Sequence, residues 1–223
     1  MIVNKPYRGM VMFEFIDVKF KNVLEVPKLF IEKGKITTIV GASGSGKTTF
    51  LKLLNKMISP TQGRILFMGT DLSQIDSIAH RRRVSLLSQN PVIFEGNIRD
   101  NLTIGLKFQG KPLPSDDLLI DILERVRLQK QLNSSANTLS GGEKQRLALG
   151  RVLLLNPDVY LLDEPCSALD EVTEESIIEM MADLVKKNGK TLVLVTHSKA
   201  IAKHYSDTII EVIDGKCSGE VHL

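Results

Sequence analysis

Two glycine-rich segments, far apart in the chain, carry the most legible chemistry. Gly41-Ala42-Ser43-Gly44-Ser45-Gly46-Lys47-Thr48-Thr49 has the spacing of a phosphate-binding loop, between an apolar run and a helical pattern. Its glycines let backbone N–H groups turn inward around phosphate oxygens, and the helix start adds the positive end of its dipole. Lys47 then reaches the β- and γ-phosphates, and the Thr48 hydroxyl is placed for magnesium. The second segment, Leu139-Ser140-Gly141-Gly142-Glu143, again sets a serine and two glycines at a helix start. One active site has no need of two such devices, so the second points to a site assembled from two chains.

Three apolar runs end in polar side chains suited to the same phosphates. Residues 159–162 lead into Asp163 and Glu164. Adjacent carboxylates at the end of an apolar strand are destabilising unless a cation or substrate needs them. Asp163 fits a magnesium-coordinating acid, directly or through water, and Glu164 the base that activates the attacking water. His197 follows the run 192–196, and strand ends of an open parallel sheet are where ligands gather, so it reads as a γ-phosphate contact. Gln89 follows 84–88, with an amide suited to the metal or the water.

The elements that must hold these groups follow from periodicity. Residues 11–20 alternate as a half-buried strand, 28–32 form another, and 36–40 read as a buried parallel strand. A helix is expected from Gly46 to about Lys56, with Pro60 closing the unit. Further strand-like runs lie at 63–68, 84–87, 159–162, 192–195 and 208–213. Between Asn90 and Asn156 the patterns turn helical, as at 116–128, where Leu119, Ile122, Leu123 and Val126 share one face; Pro112-Leu113-Pro114 marks a loop. The expectation is one α/β domain over 1–223, with core 1–89 and 157–223 interrupted by a helical insert at 90–156.

Bulk properties narrow the function classes. Against 29 Lys+Arg stand 26 Asp+Glu, a net charge of +3, so charge supplies no nucleic-acid footprint. The basic cluster His80-Arg81-Arg82-Arg83 reads as a solvated helix end or turn. Cys166 and Cys217 make no disulfide framework and fit a reducing compartment. The start, with Lys5, Pro6, Arg8 and Gly9, lacks an apolar leader core, and no window nears the roughly 18 apolar residues of a membrane helix. A cytoplasmic chain is expected, meeting a membrane only through a partner.

The phosphate loop, Gln89, the 139–143 segment, Asp163-Glu164, Ser167-Ala168-Leu169-Asp170 and His197 occur in the order of the ATP-binding-cassette (ABC) ATPases, and the resemblance spans about residues 11–215. It implies a P-loop NTPase (RecA-like) core with an N-terminal antiparallel β subdomain and an inserted α-helical subdomain. It also implies ATP and Mg2+, a second ABC ATPase subunit packed head to tail as a homo- or heterodimer, an integral membrane permease and no nucleic acid. Ser140 and Gly142 would then meet the γ-phosphate held by the partner, and Asp170 a dimer-contacting loop. Phe20 is placed to stack on adenine, the alternative being a core side chain, and Cys166 stands where threonine is common, as a small packing substitute. Spacing between Lys47 and Ser140 leaves no room for the coiled coil of DNA-repair relatives. Residues 90–102 resemble exporter sequences, and 139–146 with 163–170 resemble the ATP-binding subunit of bacterial iron-export systems. The alternative is a soluble ABC ATPase of cofactor assembly or repair.

Overall fold

The structure is a computed structural model that describes residues 10–167 and 169–222. The leader reading at residues 1–9 and Ala168 of the 167–170 segment lie outside the described residues. The described part is an α/β fold built on one ten-stranded mixed sheet. Strands β1 (Val11–Phe20), β2 (Leu24–Glu32), β4 (Gln62–Phe67) and β5 (Thr70–Asp71) form its antiparallel end. Strands β3 (Ile36–Val40), β6 (Val84–Leu87), β7 (Val159–Asp163), β8 (Thr191–Val195) and β9 (Thr208–Ile213) run parallel. Strand β10 (Lys216–His222) bridges the two halves, antiparallel to β9 and touching β2 at the single register pair Lys216 with Glu25.

Strand β2 starts at Leu24, earlier than the 28–32 pattern indicates. Leu24 and Val26 are buried, while Pro27 is exposed and supplies no ladder N–H. The pairing steps from Ile16–Lys28 to Val18–Val26, and Asp17, opposite the proline, takes a positive φ of 50°. The register against β2 is unbroken there, and the positive φ at Asp17 falls where β1 shifts register against β4, between Ile16 and Lys19. Strand β10 left no periodic signal in the sequence.

Strand β7 is buried along its whole length. Successive side chains of a strand point to opposite faces, so such a strand must be apolar without alternation. Tyr160 and Leu162 join one core cluster, with residues of helices α3 (Ile98–Phe108), α4 (Asp116–Arg125), α5 (Gly141–Leu155) and α6 (Glu171–Asn188). Val159 and Leu161 join the other, with Phe13, Phe15 and residues of α1 (Lys47–Leu54). At about 1.5–3 kcal/mol for each large apolar side chain, this two-sided burial holds the sheet between its layers.

Between β6 and β7 all the regular elements described are helical. Each α-helix there starts on a side-chain cap that satisfies N–H groups lacking intrahelical partners: Asn97 for α3, Ser115 for α4 and Ser140 for α5. The parallel order β9-β3-β8-β7-β6 has one functional consequence. The carboxyl ends of β3, β8, β7 and β6 all face one edge, which is where such sheets collect ligands. The phosphate loop, His197, Asp163-Glu164 and Gln89 follow those four ends in turn.

The basic cluster needs one correction. Arg81, Arg82 and Arg83 are exposed at the end of α2 (Ser77–Arg83), but His80 is wholly buried. Its ring meets Phe13 and Phe67 edge-on, at centroid distances of 6.3 and 4.9 Å, and its Nε2 lies 2.7 Å from the Leu54 carbonyl. A carbonyl only accepts, so Nε2 carries the proton. The period-3.6 pattern missed this because the burying surface comes from β1 and β4. Burial is the main reason the His80 pKa sits below its usual 6.5; the Leu54 hydrogen bond opposes it, and the Lys56, Arg83 and Arg81 charges add to the fall. The unfolded ring protonates near 6.5 while the folded ring resists. Stability from this site is therefore complete above 6.5 and is lost as pH falls toward the depressed folded value. His80→Phe is expected to lower stability near pH 7 by about 1–2 kcal/mol, because Leu54 loses its donor. It should also flatten the fall in Tm between about pH 7 and pH 5, read by thermal unfolding across that range.

Candidate active site

The phosphate loop leaves β3 at Gly41, whose φ of 152° and tight surroundings admit no side chain: a Cβ there would lie 2.3 Å from the Val212 carbonyl oxygen. The loop ends at Gly46, the N-cap of α1, in a left-handed conformation with φ 110° and without a side-chain cap. The uncapped helix start leaves N–H groups open to an anion. Lys47 is only 6% exposed, and its ammonium donates to the carbonyls of Gly41 and Ala42 at 2.9 and 2.8 Å. The cation is thus folded back over its own loop.

The acids lie across from this loop. Asp163 is 3% exposed and accepts a 2.8 Å hydrogen bond from the Thr48 hydroxyl. Burial pushes its carboxyl pKa up, opposed by the Thr48 bond, and the neighbouring Glu164 charge adds to the rise. Glu164 receives a hydrogen bond from Gln89 Nε2 on one oxygen, and its other oxygen lies against His197 Nε2, both at 2.8 Å. Val23, Ser43, Gly44, Gly46, Lys47, Thr48, Thr49, Gln89, Glu164 and His197 line one open cavity of ≈ 240 Å³. Residues read from four separate strand ends therefore converge on one space.

Other expected members fall elsewhere. Ser140 and Gly141 are exposed, Gly142 is half-buried, and none of the three lines this cavity. Ser140 instead caps α5 in a capping box: its hydroxyl accepts from Glu143 N at 3.3 Å and its own N–H reaches Glu143 Oε2 at 2.8 Å. Phe20 is half-buried against the N-terminal core with the Lys21 ammonium over its ring at 5.3 Å, and it does not line the cavity; Val23, at the tip of the β1–β2 turn, does. Cys166 is buried, and its thiol pKa is pushed up to about 12 by that burial, which suits packing and not reactivity. Asp170 caps α6, accepting from Thr173 N and Oγ1.

Sequence reasoning missed Gln145. It is 2% exposed and donates from Nε2 to the Glu164 carbonyl at 2.7 Å. The available signal was its position, four and eight residues before Leu149 and Leu153, which places an amide within an apolar helical stripe.

The donors present fit magnesium. Thr48 and Asp163 offer adjacent oxygen ligands beside a space for phosphate, and Mg2+ takes oxygen donors from one or two protein groups while substrate phosphates and waters complete its shell. Among the described residues no cluster of three His, Cys, Asp or Glu could hold a metal by protein ligands alone.

Known proteins place this arrangement. The ABC transporter family model matches residues 24–167. ABC transporter I family member 17 of Arabidopsis thaliana is 38% identical over 195 residues, covering 87% of this chain and 74% of its own. Protein STAR1 of Oryza sativa is 37% identical, covering 90% of this chain and 58% of its own. A bacterial ABC transporter cassette solved as a dimer superposes with TM-score 0.85 at 28% identity, covering 95% of this chain and 99% of that one. A bacterial Atm1-family ABC exporter with ATP bound gives 0.85 at 27%, covering 99% of this chain and 41% of that one. The chain belongs to the ABC transporter family and is an ATP-binding-cassette ATPase.

Gly41→Ala tests the loop geometry. The added methyl group is expected to lower stability by about 2 kcal/mol or more through backbone strain and the Val212 contact. It should weaken nucleotide binding at least about tenfold, read by thermal unfolding and nucleotide titration.

Proposed function

We propose that the chain is the ATP-hydrolysing motor of a transporter, which closes on ATP as a dimer and drives a separate membrane permease. The observation that carries this reading is the split of phosphate chemistry. Lys47, Thr48, Gln89, Asp163, Glu164 and His197 gather at one sheet edge, while the Ser140 loop stands exposed outside their cavity. A second ABC subunit, a copy of this chain or a related one, supplies what each site lacks, with the signature loop equivalent to Ser140 and Gly142 completing the γ-phosphate shell. The dimeric form of a solved relative supports this.

In this reading Lys47 exchanges the Gly41 and Ala42 carbonyls for β- and γ-phosphate oxygens. Thr48 and Asp163, with Gln89, would hold magnesium, which would supply charge neutralisation at the phosphates. Glu164, set between Gln89 and His197, takes the proton of the attacking water, and His197 contacts the γ-phosphate. No helix among the described residues is long and apolar enough to cross a membrane. The reading assigns the permease to another chain and this subunit to the inner face of the membrane. The surface near Gln89 and Phe94 is the proposed permease contact; Arg151, whose guanidinium lies over the Phe94 ring, also lines a groove of ≈ 390 Å³ with Lys52, Met57 and Val92. The proposed cargo is iron, on the resemblance of residues 139–146 and 163–170.

Glu164→Gln is expected to keep ATP affinity while lowering turnover about 10²–10⁴-fold, and to trap an ATP-dependent dimer visible by size-exclusion chromatography. Wild-type turnover in that variant would remove Glu164 as the base. Mixing Lys47→Ala with Ser140→Ala chains leaves one intact composite site per mixed dimer, so nucleotide binding should recover at that site. No recovery, with mixed dimers shown to form, counts against the shared site. Pull-down from membranes with mass-spectrometric identification is expected to return a multi-span protein, and loss of iron efflux on deletion would support the cargo.

A further inference from the structure

We propose that Gln145 is a positioning residue for hydrolysis: its side-chain amide holds the backbone of Glu164 in the conformation that aims the carboxylate at the phosphate cavity. The proposal rests on Glu164 being the base.

Glu164 occupies a conformation it would not choose. Its φ is 49°, in the left-handed region that non-glycine residues avoid. Pro165 follows it, which further disfavours helical conformations at the preceding residue. Such strain, of order 1–3 kcal/mol, persists only where surrounding bonds over-determine it. The bonds here are few. Glu164 N–H donates to the Val195 carbonyl at 3.1 Å, which ties the residue to β8. Its carbonyl accepts from Gln145 Nε2 at 2.7 Å and from Ser167 N at 3.3 Å. The shorter of these two bonds comes from outside the 164–167 turn, so Gln145 is the external anchor of the peptide plane.

Packing does not account for a glutamine at this place. A buried amide is destabilising unless hydrogen-bonded, and an aliphatic side chain would fill the same stripe beside Leu149 and Leu153 without that penalty. What the amide adds is direction. Fixing the Glu164 carbonyl fixes the far side of its Cα, and hence where the carboxylate points between Gln89 and His197. Misplacing a reacting group by about 1 Å can lower turnover 10²-fold. The same helix, α5, begins at Ser140. The strut that holds one site's base therefore starts at the loop proposed to touch the partner's nucleotide.

Gln145→Met keeps length and apolar packing and removes the donor. Expected is a fall in kcat of about 10–100-fold with ATP KM within about threefold of wild type, and with unchanged ATP-dependent dimerisation. Added to Glu164→Gln, the same substitution should lower the residual rate by less than about twofold, because the group it positions is already gone. Gln145→Met turnover within about twofold of wild type, while Glu164→Gln is inactive, overturns the positioning role and leaves the base intact. Parallel loss of kcat, ATP affinity and thermal stability, or an equal further loss in the Glu164→Gln background, assigns Gln145 to folding and overturns it as well. A fully active Glu164→Gln instead removes the base on which the proposal stands.

Discussion

A carboxylate withdrawn from water at the end of a strand buried on both faces is the constraint around which this protein is organised. Asp163 is 3% exposed, and burial drives its carboxyl toward the neutral form. Only a cation or strong donors keep it charged. Among the described residues the Thr48 hydroxyl donates to it and the Lys47 and Lys52 charges favour its ionised form, and Thr48 sits on the first turn of α1, at the end of the glycine-rich loop. The acid, the hydroxyl and the loop are thereby drawn to one point. Strand β7 can bring its acids there because its preceding residues are apolar in both directions and anchor it in two cores at once.

Helix α5 does for the second half of the site what β7 does for the first. Its N-terminus carries the capped Ser140 loop. Gln145 then holds the Glu164 carbonyl, and Arg151 reaches the Asn101 and Val92 carbonyls at 2.9 and 3.0 Å, with its guanidinium over the Phe94 ring. Burial lowers the Arg151 pKa, yet these carbonyls, the Asn101 side chain and the ring satisfy its fork. One helix thus links the exposed loop, the Glu164 backbone and the segment after Gln89.

Much of this was open to reading because the motifs are local. The phosphate loop, the acids after an apolar run and the helical stretch before Asn156 each depend on neighbours within a few residues, and periodicity reports such neighbours directly. Strand β2 extends beyond the 28–32 pattern because residues on both sides of Pro27, Val26 and Lys28, pair with β1, so the proline interrupts the apolar run without ending the ladder. His80 looked solvated beside three arginines, but Phe13, Phe67 and the Leu54 carbonyl enclose it from elements remote in sequence. Phe20 was marked by its type, and the turn that follows it presents Val23 to the cavity instead.

The sequence by itself determined which groups are available and which strand or helix end each occupies, because short-range spacing decides where a glycine turn, a cap or a terminal carboxylate stands. The tertiary structure alone decided their company. Parallel pairing brings four strand ends to one edge, Asp163 becomes a buried acid bonded to Thr48, and Gln145 meets the Glu164 carbonyl. It also leaves the Ser140 loop outside the cavity of its own chain. Those outcomes depend on desolvation and on bonds between residues far apart along the chain. No local pattern encodes such terms, because their energies arise only once the sheet and helices exclude water together.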